Sequence, residues 1–100
     1  MRISCIIVNY QRPALLRLAL QSLSRAVLPT TDLEVIIVDS ASTPETRAVV
    51  RDEGAALFQN IVLVPRAENT GYTKGNILGV ERVTGDYICI LNPDIVPEYG

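Results

Sequence analysis

Nine consecutive residues, Asp86-Tyr-Ile-Cys-Ile-Leu-Asn-Pro-Asp94, constrain the fold more than any other stretch. Tyr87–Leu91 is an unbroken run of β-branched, aromatic and small apolar side chains. A short run without polar alternation reads as a strand buried on both faces, as in the middle of a parallel sheet. The run ends abruptly in Asn92-Pro93-Asp94. Pro93 fixes its own φ and biases Asn92 toward an extended backbone. Residues two apart in an extended chain point to the same side, so Asn92 and Asp94 present an amide and a carboxylate together. In open α/β sheets, ligands bind outside that end of the strands.

The rest of the chain supplies partners for such a strand. Ile3–Val8 is a second β-branched run and stops at Asn9-Tyr10-Gln11-Arg12. Pro13 then opens a helix, where its missing N–H costs little. Leu15, Leu16, Ala19, Leu20, Leu23 and Val27 follow at helical spacing. Leu33–Val38 is the second strand, with Asp39-Ser40-Ala41-Ser42 at its tip. Thr43-Pro44-Glu45 gives a cap, a first-turn proline and an acid, predicting a helix to about Glu53 with Gly54 as its stop. Ile61–Val64 is a third strand, and Gly71–Val83 reads as a helix with Gly71, Gly75 and Gly79 every fourth residue. That spacing strips one helix face of side chains, and each glycine costs about 1 kcal/mol against alanine. Close packing of the helix on the sheet is the preferred reason. The order β-α-β-α-β-α-β predicts a three-layer α/β/α fold with an open, mainly parallel sheet of four strands, in a single domain over residues 1–100.

Several function classes are excluded at this point. A net charge of −2 offers no surface for nucleic acid. No histidine occurs, so neither a histidine base nor a histidine-ligated zinc is available. Cys5 and Cys89 lie in apolar runs and read as small buried hydrophobes; their proximity would depend on which strands are neighbours. Met1–Val8 is too short for a secretory signal and no apolar run reaches membrane-spanning length, so the expectation is cytoplasmic.

Every strand end carries polar residues, and helix N-termini facing the same edge favour anions. Asp94 is a candidate to hold a hard divalent cation if phosphates and water supply the other oxygens; the alternative is ordinary Asn-Pro-Asp turn chemistry. Asn92 reaches the same ligand or caps the turn. Asp39 is an acceptor for a ribose or base edge, or a polar strand end. Asn9 and Tyr10 line a base pocket, with Tyr10 stacking, or belong to a loop. Arg66 and Lys74 read as solvated charges. Asn76, among the glycines, is a buried amide that needs partners. Asn69–Gly79 is not a Walker loop, and strand one leads into no glycine-rich turn, which argues against a dinucleotide site. A receiver-type domain is disfavoured, because strand three ends in Val64-Pro65 rather than an aspartate.

Taken in order, four segments resemble the N-terminal, nucleotide-sugar-binding half of a family 2 glycosyltransferase of the GT-A type. They are Ile6-Ile-Val-Asn-Tyr-Gln-Arg-Pro13, Val35-Ile-Ile-Val-Asp-Ser-Ala-Ser-Thr43, Glu68–Gly79 and Thr84–Asp94, the last with Asn92 in the first acidic place of an Asp-x-Asp motif. The resemblance implies that Asp94 holds Mn²⁺ or Mg²⁺ against the donor diphosphate. It implies that Asp39 and the Asn9-Tyr10 turn contact the nucleoside, with Asn92 near the ribose or sugar. It implies inverting transfer from a nucleotide-sugar to an acceptor hydroxyl, on a saccharide or lipid-linked acceptor. The family's base comes from later segments, so the chain is expected to be a truncated piece that folds and binds but does not turn over. No catalytic residue is assigned. A homodimer through an exposed sheet edge and membrane association of the full-length protein are left open. The competing class is a noncatalytic nucleotide-binding or interaction domain on the same sheet.

Overall fold

The computed structural model describes residues 1–91; residues 92–100, and with them the candidates Asn92 and Asp94, lie outside the described residues. Four strands form one sheet: β1 (Arg2–Tyr10), β2 (Asp32–Ser40), β3 (Asn60–Pro65) and β4 (Tyr87–Leu91). Their order is β3-β2-β1-β4, and every pairing is parallel. Between them lie α1 (Pro13–Ala26), α2 (Pro44–Ala48), a π-helical stretch Val49–Gly54, α3 (Ala55–Leu57) and α4 (Gly71–Val80).

The two-residue period of the strands sorts their side chains into two cores. Ile7, Val35 and Ile37 pack with Leu16 and Leu20 of α1 and with Val49, Val50 and Phe58. Ile6, Val8, Ile36, Val38 and Val64 form the opposite core. The second core faces α4, whose Gly75 and Gly79 lie against Val8 and Ile6. A methyl group on Gly79 would sit 2.5 Å from Ile6 Cγ2. The glycine spacing therefore serves close helix–sheet packing, as expected. The architecture is the three-layer α/β/α sandwich expected from the order of elements.

Helix starts follow their sequence signals. Pro13 stands in the first turn of α1, and Thr43 and Thr46 form a reciprocal capping box at α2. Two boundaries and one strand position differ from expectation. Gly54 does not stop its helix; it keeps right-handed helical dihedrals, and the chain stays helical to Leu57. Its missing side chain instead admits Ile61. The fourth helix ends at Val80, short of Val83. Most consequentially, β4 is an edge strand among the described residues, not an interior one. Tyr87, Ile88 and Ile90 are 58%, 49% and 48% exposed. The doubly buried strands are β1 and β2, which have a neighbour on each side and a helix layer on each face. An apolar run records that a strand suits burial, not which neighbours cover it.

At the N-terminal rim of the sheet a buried acid ties three segments together. Glu34 accepts from Ser4 Oγ at 2.8 Å, from the Thr84 amide at 3.0 Å and from Thr84 Oγ1 at 2.8 Å. The Arg2 guanidinium stands 3.8 Å away. The Gly85 amide donates in turn to Ser4 Oγ at 2.9 Å. Burial raises the Glu34 pKa, but the Thr84 and Ser4 hydrogen bonds and Arg2 outweigh it and hold the carboxyl below its ordinary value. A depressed folded-state pKa contributes stability that is present above the unfolded value and lost as pH falls through the folded one. Stability of the wild type should therefore fall more steeply than that of Glu34→Gln between about pH 5 and 3. Urea unfolding across that window measures it; parallel curves would remove Glu34 from the acid limb.

Candidate functional site

Because all four strands are parallel, their C-terminal ends share one rim. Register places Asn9 beside Asp39 and Tyr10 beside Ser40, while Asp39 pairs with Pro65. Leu91, the last described residue of β4, pairs with Ile7, two residues before Asn9. Strand order reverses between β1 and β4, since β1 leads to β2 and β3 on one side and finds β4 on the other. Such a reversal opens a crevice at the strand ends, the usual ligand position in an open α/β sheet.

Both central strands leave the rim through the same hook. Gln11 and Ala41 follow the strand ends with φ of 48° and 47°. Non-glycine residues pay on the order of 1 kcal/mol for this left-handed region. The hooks are held from several directions. The Gln11 amide donates to the Ala41 carbonyl at 3.5 Å. The Ala41 and Ser42 amides donate to the Glu68 and Arg66 carbonyls at 2.9 and 2.8 Å, extending the ladder beyond the strands.

Asp39 is the hub of this rim. One of its carboxyl oxygens accepts from Ser42 Oγ and from Thr46 Oγ1, each at 2.6 Å; the other accepts from the Asn9 amide at 3.4 Å. Asn9, Asp39 and Thr46 are closed to solvent. The carboxyl thus fastens the tip of β1, its own loop and the start of α2 into one unit. Beside it, Ser40 Oγ donates to Asn69 Oδ1 at 3.0 Å and accepts from the Thr70 amide at 2.7 Å. Asn69 Oδ1 also accepts from the Gly71 amide at 3.0 Å. Gly71 has a φ of 72°, a conformation glycine adopts without strain.

Of the residues singled out from the sequence, Asn9, Tyr10 and Asp39 come together on this rim. Tyr10 is half exposed, so its ring is free to meet a ligand. Asn76 lies in α4, which packs on the Ile6 and Val8 face of the sheet, opposite α1. Asn9 Oδ1 and Asn76 Oδ1 are both buried without a hydrogen-bond partner among the described residues. A buried acceptor left unpaired costs about 1–3 kcal/mol, so each has a place for a donor to fill. Arg66 and Lys74, read from sequence as solvated charges, line one cavity of about 330 Å³ with Glu68, Asn69 and Thr70. They meet where the loop that leaves β3 turns into the first turn of α4. A larger cavity of about 570 Å³ lies at the opposite rim, between the α1–β2 and α3–β3 connections. It is remote from the polar strand ends.

The described residues do not themselves make a metal centre. No three His, Cys, Asp or Glu side chains gather closely enough among them. Asp39, the acid of the rim, already spends its oxygens on Ser42, Thr46 and Asn9. A cation at this rim would need ligands beyond them.

Residues 4–100 match the family model described as glycosyl transferase family 2. No curated protein gives a match. Among solved structures, the chain is similar to the mannosyltransferase PcManGT from Pyrobaculum calidifontis in complex with GDP-Man and Mn²⁺. The TM-score is 0.80 at 28% identity, over 93% of this chain and 27% of that one. It is similar to S. aureus TarS 1-349, with a TM-score of 0.80 at 25% identity, over 94% of this chain and 28% of that one. For TarS 1-349 in complex with UDP-GlcNAc the TM-score is 0.77 at 26% identity, over 94% and 27%. The chain spans roughly a quarter of the length of these structures.

Proposed function

This chain belongs to glycosyl transferase family 2, and we propose that it forms the nucleotide-sugar-binding portion of a glycosyltransferase. The observation that carries the reading is the gathering of Asn9, Tyr10, Asp39, Ser40, Asn69 and Thr70 on one rim, beside the reversal of strand order. Solved structures of similar fold bind GDP-Man or UDP-GlcNAc, which supports a nucleotide-sugar as donor here.

In this reading the exposed Tyr10 ring stacks on the nucleoside. Asp39 holds the Ser42 and Thr46 loop in the shape that receives it, and the unpaired oxygens of Asn9 and Asn76 are acceptors for donors of the ligand. Asn92 stands near the ribose or sugar. Asp94 would hold Mn²⁺ or Mg²⁺, and the cation would supply Lewis-acid stabilisation of the charge on the departing diphosphate. In the transfer itself the acceptor oxygen bonds the anomeric carbon as the bond to diphosphate breaks, with inversion, and the hydroxyl proton passes to a base. No residue of this chain is assigned as that base, and the purified chain is expected to bind donor without turning it over. The acceptor is a saccharide or lipid-linked hydroxyl. Residues 1–100 act as one donor-binding domain, placed in the cytoplasm; no helix among the described residues is long and apolar enough to cross a membrane.

The test is calorimetric titration with a nucleoside diphosphate, with and without Mn²⁺, on the wild type and on Asp94→Ala. Manganese should tighten binding by about tenfold, equivalent to about 1.4 kcal/mol, and Asp94→Ala should abolish that gain. Binding indifferent to manganese, or to the substitution, would leave a nucleotide-binding domain without the metal role.

A further inference from the structure

We propose that Cys5 and Cys89 form a reversible intramolecular disulfide that crosses the junction between β1 and β4. The two residues are direct register partners on adjacent parallel strands. Strand alternation puts their side chains on the same face of the sheet, since Ile7 and Leu91, two residues further along each strand, pack into the same core. Both are free thiols; Cys5 is buried and Cys89 is exposed.

The geometry favours a labile bond over a permanent one. Neighbouring strands run about 4.8 Å apart, inside the Cα separation that a disulfide tolerates. The Cβ atoms of a disulfide, however, stand only about 3.8 Å apart. Two β-carbons projecting side by side from adjacent strands must therefore draw together for the bond to form. A disulfide under that demand is more easily reduced than an ordinary structural one.

The two thiols have unequal parts. Burial, with the Cys89 thiol adding to it, pushes the Cys5 thiol up to about 12. The thiolate is the attacking species, so Cys5 is a poor first nucleophile and the exposed Cys89 takes that part. The oxidant is a low-molecular-weight disulfide. Cys89 sulfur attacks one of its sulfurs, a protein–small-molecule disulfide forms, and one small thiol leaves. Cys5 sulfur then attacks the Cys89 sulfur, its proton passes to solvent, the protein disulfide forms and the second small thiol leaves. Two protein thiols are oxidised by two electrons, and one small disulfide is reduced to two thiols. The second step should be the slow one and should accelerate about tenfold per pH unit, following the thiolate fraction of Cys5.

This inference does not rest on the donor-binding reading. The experiment treats the purified protein with oxidised glutathione under denaturant-free conditions, then counts alkylatable thiols and measures intact mass. The expected product is a monomer lighter by two hydrogen atoms, with no alkylatable thiol, restored by reduced glutathione. A mapped Cys5–Cys89 peptide identifies the bond. Cys89→Ser changes an exposed side chain and should leave one unreactive thiol and no product. Should Cys5→Ser fold, it should stop at the glutathione adduct on Cys89. Accumulation of that adduct in the wild type without closure, a covalent dimer through Cys89, or two free thiols after prolonged oxidation at raised pH would each overturn the proposal.

Discussion

Replacing Asp39 by alanine is expected to destabilise the protein by about 3–5 kcal/mol, the largest effect of any single change at the rim. The substitution removes the acceptor for Ser42 Oγ, Thr46 Oγ1 and the Asn9 amide at once. Asn9 and Thr46 are closed to solvent, so water does not replace the lost partner. Hydrogen bonds to a charged group are each worth about 1.5–3 kcal/mol, and orphaned buried donors add a desolvation penalty. Asp39→Asn keeps one acceptor oxygen and the side-chain shape, and should lose about half as much. Urea unfolding of both variants provides the measurement. An Asp39→Ala protein within about 0.5 kcal/mol of wild type would mean that the carboxyl is no strut of the loops. Nucleotide affinity should fall in both variants, because the loop that Asp39 fastens would no longer be held in shape.

The second large effect is expected at the α4–sheet contact. Gly79→Val places a branched side chain where a single added carbon would already lie 2.5 Å from Ile6 Cγ2 and 3.3 Å from two further carbons of the same side chain. Ile6 cannot yield, since it is fully buried in a central strand. Overpacking of this kind costs about 3 kcal/mol, and valine returns little helix propensity in compensation. Ile6→Ala should relieve the clash. The double variant should therefore be less destabilised than the sum of the two single changes by more than about 0.5 kcal/mol. Additive losses would show that the glycine is tolerated rather than required.

Much of the fold was legible because β-branched runs and helical spacing are local signals. Ile3–Val8, Leu33–Val38 and Ile61–Val64 became strands in the expected order, and Gly75 and Gly79 packed on the sheet as their spacing suggested. What failed depended on neighbours. The Tyr87–Leu91 run reads as interior, yet among the described residues β4 has a neighbour on one side alone, because lateral position follows from a sheet order that no single segment encodes. The apolar run predicts a buried Cys89 for the same reason, and its side chain is exposed. Gly54 reads as a helix stop, but glycine serves both as a stop and as a gap for a neighbouring side chain, here Ile61. At the rim, Asp39 stood out by its place after an apolar run, but its partner Thr46 lies seven residues on in another element. Glu34 carries no sequence signal, because a carboxylate within a strand usually points to water and only folding brings Thr84 to it.

The Glu34 knot lies at the end of the sheet away from the Asp39 hub, separated by the length of β2. Cohesion at the base is thereby uncoupled from the proposed donor site at the crown. Loops at the crown can be exchanged, lengthened or grafted from a relative with another donor preference while the base keeps the strands in order. A laboratory programme to retarget this protein would leave Ser4, Glu34 and Thr84 untouched and randomise the opposite tips.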